Sequence, residues 1–227
     1  VSHLPAPGEP EEWKACQRLG VAAVLRMDNT GWHGIRVGAL TKALALASGL
    51  PPLQALETGL AAELHDIGLS SVPETVLAKR GELNAAERSL VERHPQAGAE
   101  ILNDDGHPRL LLAREIARYH HARFDGAGYP ERVGGRFIPL AARLCAVADA
   151  YDAMVCGLEN RPPMSMSDAL GELRREAGGQ FDPVLVERFE AVIRDEAADL
   201  GVDPAAVAGL ESFQDLVMTL QEDRGFL

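Results

Sequence analysis

The sequence predicts an all-α fold, and three observations predict it. Apolar residues recur at helical spacing in one segment after another, prolines and glycines gather at the ends of those segments, and strand-like patterning is confined to a single stretch. That stretch, Val133-Gly134-Gly135-Arg136-Phe137-Ile138, is expected to form a small β-hairpin with Gly134-Gly135 at its tip. The expected architecture is a helical bundle carrying one hairpin. With 227 residues, 46% of them apolar, the chain can bury a substantial core.

Taken in order, the chain divides into three parts: residues 1–28, a linker and connector helix; 29–195, the main domain; and 196–227, a helical tail. Residues 1–8 carry two prolines and a glycine and read as linker. Trp13, Cys16, Leu19, Ala23 and Met27 then recur at helical spacing, and 28–31 interrupts them. Ile35, Val37, Leu40, Leu44 and Leu46 form the apolar face of a second helix, which starts beside His33 and is ended by Gly49. Pro51-Pro52 opens a third through Leu53, Leu56, Leu60 and Leu64 to His65-Asp66, where Ile67-Gly68 stops it. Pro73 starts a short turn through Leu77. Asn84 and Glu87 make an N-cap pair for a helix expected to end near His94-Pro95, and a further turn covers 96–102. Pro108 opens the run that ends in His120-His121. After the hairpin, Pro139 starts the most apolar helix, with Asp149 and Asp152 inside it. Ser167 is the expected cap of the next helix and Gly178-Gly179 its end. Asp182-Pro183 starts another, and Asp203-Pro204 begins the amphipathic tail through Leu210, Phe213, Leu216, Val217 and Leu220.

The net charge of −12 excludes duplex nucleic acid and anionic membrane surfaces as partners, since both select a basic face. An anionic ligand would have to be drawn in by local cations. Cys16, Cys145 and Cys156 form no CxxC pair and read as reduced core residues of a cytoplasmic protein. No apolar run reaches the roughly 18 residues of a membrane-spanning helix, and no signal peptide is visible. A chain that begins at Val1 is expected to be a piece of a longer one, which leaves room for an upstream sensory domain.

The informative stretch is 119–130, Tyr-His-His-Ala-Arg-Phe-Asp-Gly-Ala-Gly-Tyr-Pro, where two histidines close an apolar helix and a glycine-rich loop follows at once. Metal-binding residue types sit in or at the end of apolar helices elsewhere too: His33, His65, Asp66, His94 and Asp149 join His120 and His121. Taken singly, a helix-end histidine is a cap or a satisfied core residue. Taken together, five of seven histidines in such places ask for a common purpose. His65-Asp66 and Asp149 each place a charge in apolar surroundings, which costs several kcal/mol unless a partner compensates. For Asp149 that partner is a metal or a buried arginine such as Arg143. Asp152, three residues on, shares its helical face and is suited to orient a ligating histidine. Imidazoles plus carboxylates without thiolate suit iron, manganese, nickel or zinc. Seven donors exceed what one ion needs, and two metals sharing a carboxylate are a standard device for cleaving phosphoesters.

His65-Asp66-Ile67-Gly68 resembles the signature of the HD phosphohydrolase superfamily, and His120-His121 with Asp125-Gly126-Ala127-Gly128-Tyr129-Pro130 resembles the HHxxxDGxGYP signature of its HD-GYP branch, bacterial phosphodiesterases of cyclic di-GMP. The resemblance implies an all-α HD domain holding two divalent metal ions, Fe(II) or Mn(II). It assigns His33, His65, Asp66, His94, His120, His121 and Asp149 as metal ligands, with Asp66 bridging and His65, Asp66 and Asp149 counted as catalytic. It further implies attack of a hydroxide on a phosphorus of the cyclic dinucleotide, giving pGpG and GMP. Arg123, Asp125, Gly126, Gly128, Tyr129 and Arg161 fall in segments expected to touch substrate, and the GYP loop is a surface the family offers to GGDEF-type proteins.

Two positions and one segment depart from the family pattern. Leu69 stands where a phosphate-holding lysine is usual, 155–164 replaces a Thr-Ser pair and an Arg-Pro-Tyr-basic run, and Asn29 stands where members with three metals carry glutamate. Arg161-Pro162 is read as a displaced Arg-Pro, and Arg123, Arg132 and Arg136 are cations able to compensate. Two other readings stand beside the phosphodiesterase: a metal-loaded but feeble or inactive module for nucleotide sensing or protein regulation, and a hydrolase of another phosphoester.

Overall fold

The structure is a computed structural model, and it describes residues 11–28, 31–79, 81–103, 106–157 and 162–199. Ten α-helices follow one another among the described residues: α1 (Glu11–Asp28), α2 (His33–Ala47), α3 (Pro52–Ala62), α4 (Glu74–Leu77), α5 (Ala85–Val91), α6 (His94–Ile101), α7 (Pro108–Tyr119), α8 (Leu140–Cys156), α9 (Met166–Arg175) and α10 (Pro183–Asp199). Two single 3-10 turns, Ile67–Ser71 and Gly135–Phe137, complete the set.

α2 packs on α3 and α8, and α7 packs on the same two helices from the other side, closing a four-helix ring. Its core follows from sequence spacing. Val37, Leu40 and Leu44 of α2 and Leu144, Val147 and Tyr151 of α8 lie at intervals of three and four and are fully buried, because those intervals put side chains on one helical face. α9 and α10 cover α8, with Phe189 packed edge-on to Tyr151 at 5.0 Å between ring centroids. α6 sits against α7 and the 67–71 turn.

α1 is part of this core. Trp13 is fully buried, and the Arg109 guanidinium lies 4.9 Å above its ring while gripping Glu57 of α3 at 2.6 and 2.9 Å. Further along α1, Ala23 packs with Leu69, Val72 and Val76 in a second small apolar cluster. None of the described helices is long and apolar enough to cross a membrane.

Four local expectations are corrected. The hairpin is not seen: no strand occurs among the described residues, and 135–137 wind into a 3-10 turn. The backbone N–H of Gly135 donates to Phe124 O at 2.7 Å, and Gly135 adopts φ +58°, so this segment bonds to the glycine-rich loop rather than to itself. The cap of α9 is Ser165, whose hydroxyl accepts from Asp168 N–H at 3.0 Å, because the helix must start early enough to bury Met166. His94 opens α6 rather than closing α5, since Pro95 is tolerated in a first turn where its missing N–H is not needed. α3 ends at Ala62, which leaves His65 and Asp66 in the turn beyond it. The Asn84–Glu87 pair forms the expected capping box, with bonds of 2.8 and 2.9 Å. The linker at 1–8, Asn29, Arg161 and the tail beyond 199 lie outside the described residues.

Burial of Trp13 gives a first test. Trp13→Ala removes a fully buried indole and should lower unfolding free energy by ~3–5 kcal/mol in urea titration, whereas a surface helix would lose almost nothing.

Candidate metal centre

All seven sequence-predicted donors meet at one place, and they arrive there from helix ends. His33 is the first residue of α2, His94 the first of α6, His65-Asp66 follow α3, and His120-His121 follow the last turn of α7. Asp149 comes from the middle of α8. The close approach of the His65-Asp66 turn to α6 depends on Gly68. A Cβ there would stand 2.0 Å from His94 O and 2.5 Å from Gly98 N, so only glycine lets the two backbones touch.

The donors form two groups, Asp66 with His94, His120 and His121, and His33 with His65 and Asp149, each having ligand atoms within 4.8 Å of one another. Asp66 lies between them. Its Oδ1 faces His94 Nε2 at 3.1 Å and His120 Nε2 at 3.4 Å, while its Oδ2 faces His65 Nε2 at 3.5 Å and His33 Nε2 at 3.9 Å. Asp149 Oδ1 closes the second group at 3.2 Å from His33 Nε2 and 3.5 Å from His65 Nε2.

The outward nitrogens of three histidines are fixed by main chain. His65, His94 and His120 Nδ1 donate to Ala62 O at 2.9 Å, Val91 O at 2.7 Å and Ala117 O at 2.9 Å, each three residues earlier. A carbonyl can only accept, so Nδ1 carries the proton and the Nε2 lone pair is left pointing inward. The inner nitrogens converge in twos, with the Nε2 atoms of His33 and His65 3.3 Å apart and those of His94 and His120 3.2 Å apart. Neutral imidazoles do not hold lone pairs at that separation without a proton or a cation between them. His33 differs: its Nδ1 meets Asp152 Oδ2 at 2.7 Å, and Asp152 is gripped by Arg36.

Electrostatics agree with a cation-seeking site. Burial disfavours ionised Asp66, yet His65, His120 and His94 outweigh it and hold the carboxyl well below its usual range. Asp149 is held low against the same burial by His33 and His65. Burial would likewise strip His33 of its proton, but Asp149 and Asp152 push it up to about 9. The donor set, two carboxylates and five imidazoles with no thiolate, fits a pair of borderline or hard divalent ions.

The glycine-rich loop forms the rim. Tyr129 stacks on His121 with ring centroids 4.8 Å apart and planes 23° from parallel. Asp125 Oδ1 accepts from Ala127 N–H at 2.9 Å, Arg123 bridges Asp125 at 2.9 Å and reaches Glu176, and Phe124 and Asp125 N–H donate to Gln180 O and Gly179 O at 3.0 and 2.8 Å. Arg123 and Asp125 are therefore engaged in the loop's own framework, while Gly126, Gly128 and Tyr129 shape the rim. Arg132 and Arg136 are exposed nearby in sequence. Leu69 is buried at 2% exposure against Ala23, Val72 and Val76, so the side chain that replaces the family's lysine serves packing against α1. Arg143, considered as a partner for Asp149, instead pairs with Asp182 at 2.5 Å. The residue that sequence reasoning missed is Arg36. Its only signal was a charge between Ile35 and Val37 on an apolar helix.

With this geometry in view, comparison with known proteins places the chain. Residues 18–185 match the family model for the HD domain, and the chain belongs to that family. Its phosphohydrolases are metal-dependent, and the His/Asp cluster has the donors to bind metal. Among curated relatives, the chain is 36% identical over 169 residues to 3'3'-cGAMP-specific phosphodiesterase 2 of Vibrio cholerae, covering 74% of this chain and 32% of the relative. It is also 36% identical over 171 residues to a cyclic di-GMP phosphodiesterase of Thermotoga maritima, covering 75% and 46%. The chain thus spans a third to a half of the length of these relatives. Among solved structures, an HDG"Y"P protein from Bdellovibrio bacteriovorus superposes with a TM-score of 0.60 at 21% identity over 81% of this chain and 64% of that one, a likeness of fold.

Gly68→Ala forces backbone apart at the hinge of both groups. It should lower unfolding free energy by ~3 kcal/mol and reduce divalent-metal uptake, read by thermal unfolding and by metal analysis of the purified protein.

Proposed function

We propose that this chain is a metal-dependent phosphodiesterase that hydrolyses cyclic di-GMP to pGpG and onward to GMP. The observation that carries the reading is Asp66, which offers one carboxylate oxygen to each of two imidazole groups. Relatives whose names state cyclic dinucleotide phosphodiesterase activity support the substrate class.

His33, His65 and Asp149 would hold one divalent ion, His94, His120 and His121 the other, and Asp66 would hold both; Fe(II) or Mn(II) suits these donors. Such a pair, when bound, lowers the pKa of a water and neutralises charge developing on a phosphoryl group. The chain itself supplies orientation. Main-chain carbonyls and Asp152 lock four of the five imidazoles from behind, so those donors are set before substrate arrives. The chain also supplies a direction of approach: Asp66, Asp149 and His33 side chains keep 14%, 21% and 13% exposure whereas His65 and His120 have none. Substrate would therefore enter over the carboxylates, past the Tyr129 rim, with GGDEF-type partners meeting the outside of the same loop.

One observation favours a second substrate. A relative of equal identity is named for 3'3'-cGAMP, which shares the phosphodiester ring and differs in one base. The donors described above would hold metal ions that act on the phosphodiester, a group both ligands share, and none of them is a reader of bases. Burial of Leu69, which leaves no cation at that position, favours the feeble or regulatory module as the reading to be tested beside these.

The decisive experiment reconstitutes the protein anaerobically with Fe(II) or Mn(II) and follows cyclic di-GMP, 3'3'-cGAMP and a generic aryl phosphodiester by chromatography. Conversion of cyclic di-GMP to pGpG supports the proposal, preference for 3'3'-cGAMP transfers it to that ligand, and turnover of the aryl diester alone or no turnover despite a loaded pair overturns it. Asp66→Ala should abolish metal retention and lower turnover by at least ~100-fold.

A further inference from the structure

Three of the four histidines with anchored outer nitrogens lean on carbonyls of their own turn, and the fourth leans on a side chain 119 positions away. The reason is positional. His65, His94 and His120 each stand three residues beyond the carbonyl they bond, whereas His33 opens α2 with its Nδ1 facing Asp152 of α8. Its anchor is Asp152 Oδ2 at 2.7 Å. A fully buried carboxylate needs compensation, and Arg36 provides it as a fork, Nε to Oδ1 at 2.6 Å and Nη2 to Oδ2 at 2.9 Å, with both side chains at most 2% exposed.

The pattern is two facing pairs. His33 and Arg36 lie three apart on α2, Asp149 and Asp152 three apart on α8, so one turn of each helix presents a donor and its support to the other. His33 touches both aspartates, at 3.2 Å for Asp149 and 2.7 Å for Asp152. The other group, around His94 and His120, has no counterpart to this arrangement among the contacts described; its anchors are backbone.

We propose that Arg36 is a positioning residue: acting through Asp152, it holds His33 in place and makes the His33–His65–Asp149 pocket the one of the two whose ion depends on a removable side-chain bridge. This inference rests on the two-metal reading above. A carboxylate behind an imidazole also strengthens the donor nitrogen, so the two positions differ in electron density as well as in fragility. Lysine cannot reproduce the fork, because its single ammonium meets one oxygen at a time.

The test loads wild type, Arg36→Met, Arg36→Lys, Asp152→Asn and the double variant Arg36→Met/Asp152→Asn with Mn(II) under anaerobic conditions. Stoichiometry and stepwise affinity are read by calorimetry and metal analysis, and the pairing of the ions by electron paramagnetic resonance. Circular dichroism and thermal unfolding of the metal-free proteins report the fold. The double variant removes both buried charges together and keeps a folded reference if Arg36→Met alone does not fold. The expected result is a coupled Mn pair in wild type. In Arg36→Met, Asp152→Asn and the double variant, one ion is retained near wild-type affinity, the other is weakened about 10- to 100-fold, and the spectrum becomes that of an isolated ion. Arg36→Lys should recover part of the second affinity. Folded variants that keep both ions at wild-type affinity, or lose both equally, overturn this inference alone. A wild-type chain that takes up no pair overturns the two-metal reading and this inference with it.

Discussion

A carboxylate buried among imidazoles dominates this molecule. Asp66 keeps only 14% exposure in a site where burial opposes ionisation, and it stays charged because histidines surround it. Such a group cannot stand alone inside a helical bundle, since an uncompensated buried charge costs several kcal/mol. The remaining donors follow from that requirement. His65, His94 and His120 arrive with Nε2 turned inward, and each has behind it a main-chain carbonyl at a helix end.

Helix termini are the economical place to meet that need. The last turn of a helix leaves carbonyls without intrahelical partners, and a histidine just beyond it can satisfy one of them with Nδ1. His65 on Ala62, His94 on Val91 and His120 on Ala117 all do this. The same bond therefore terminates a helix and selects the tautomer a metal needs. Gly68 completes the arrangement by letting the turn that carries two donors touch the first turn of α6.

Much of this was legible in the sequence. Histidines at the ends of apolar helices had no common structural reason to be there, and the His65-Asp66 and His120–Pro130 patterns tied them to one family. The structure brings those seven residues together. What escaped was long-range. Arg36 sits between Ile35 and Val37 and looks like an ordinary charge on a helix; its partner is 116 positions away, beyond any local pattern. The Gly134-Gly135 pair carried a true turn signal, but the nearest free carbonyl belonged to Phe124 rather than to a partner strand. Ser167 and Ser165 are equal as caps on local grounds, and burial of Met166 decided between them. Leu69 looked like a defect in a binding surface and is a core residue facing α1.

The rim loop has one more property. Phe124 and Asp125 bond to Gln180 and Gly179, and Gly135 bonds back to Phe124, so the loop is laced by main chain to the turn that leads into α10. Amides held this way exchange with solvent only when the pieces they join part company, which puts the mouth of the site in the same cooperative unit as the helix capping the far side of α8. A glycine-rich sequence suggests a yielding loop. Here the glycines permit close stitching, and the entrance borrows its rigidity from a helix nearly sixty residues downstream.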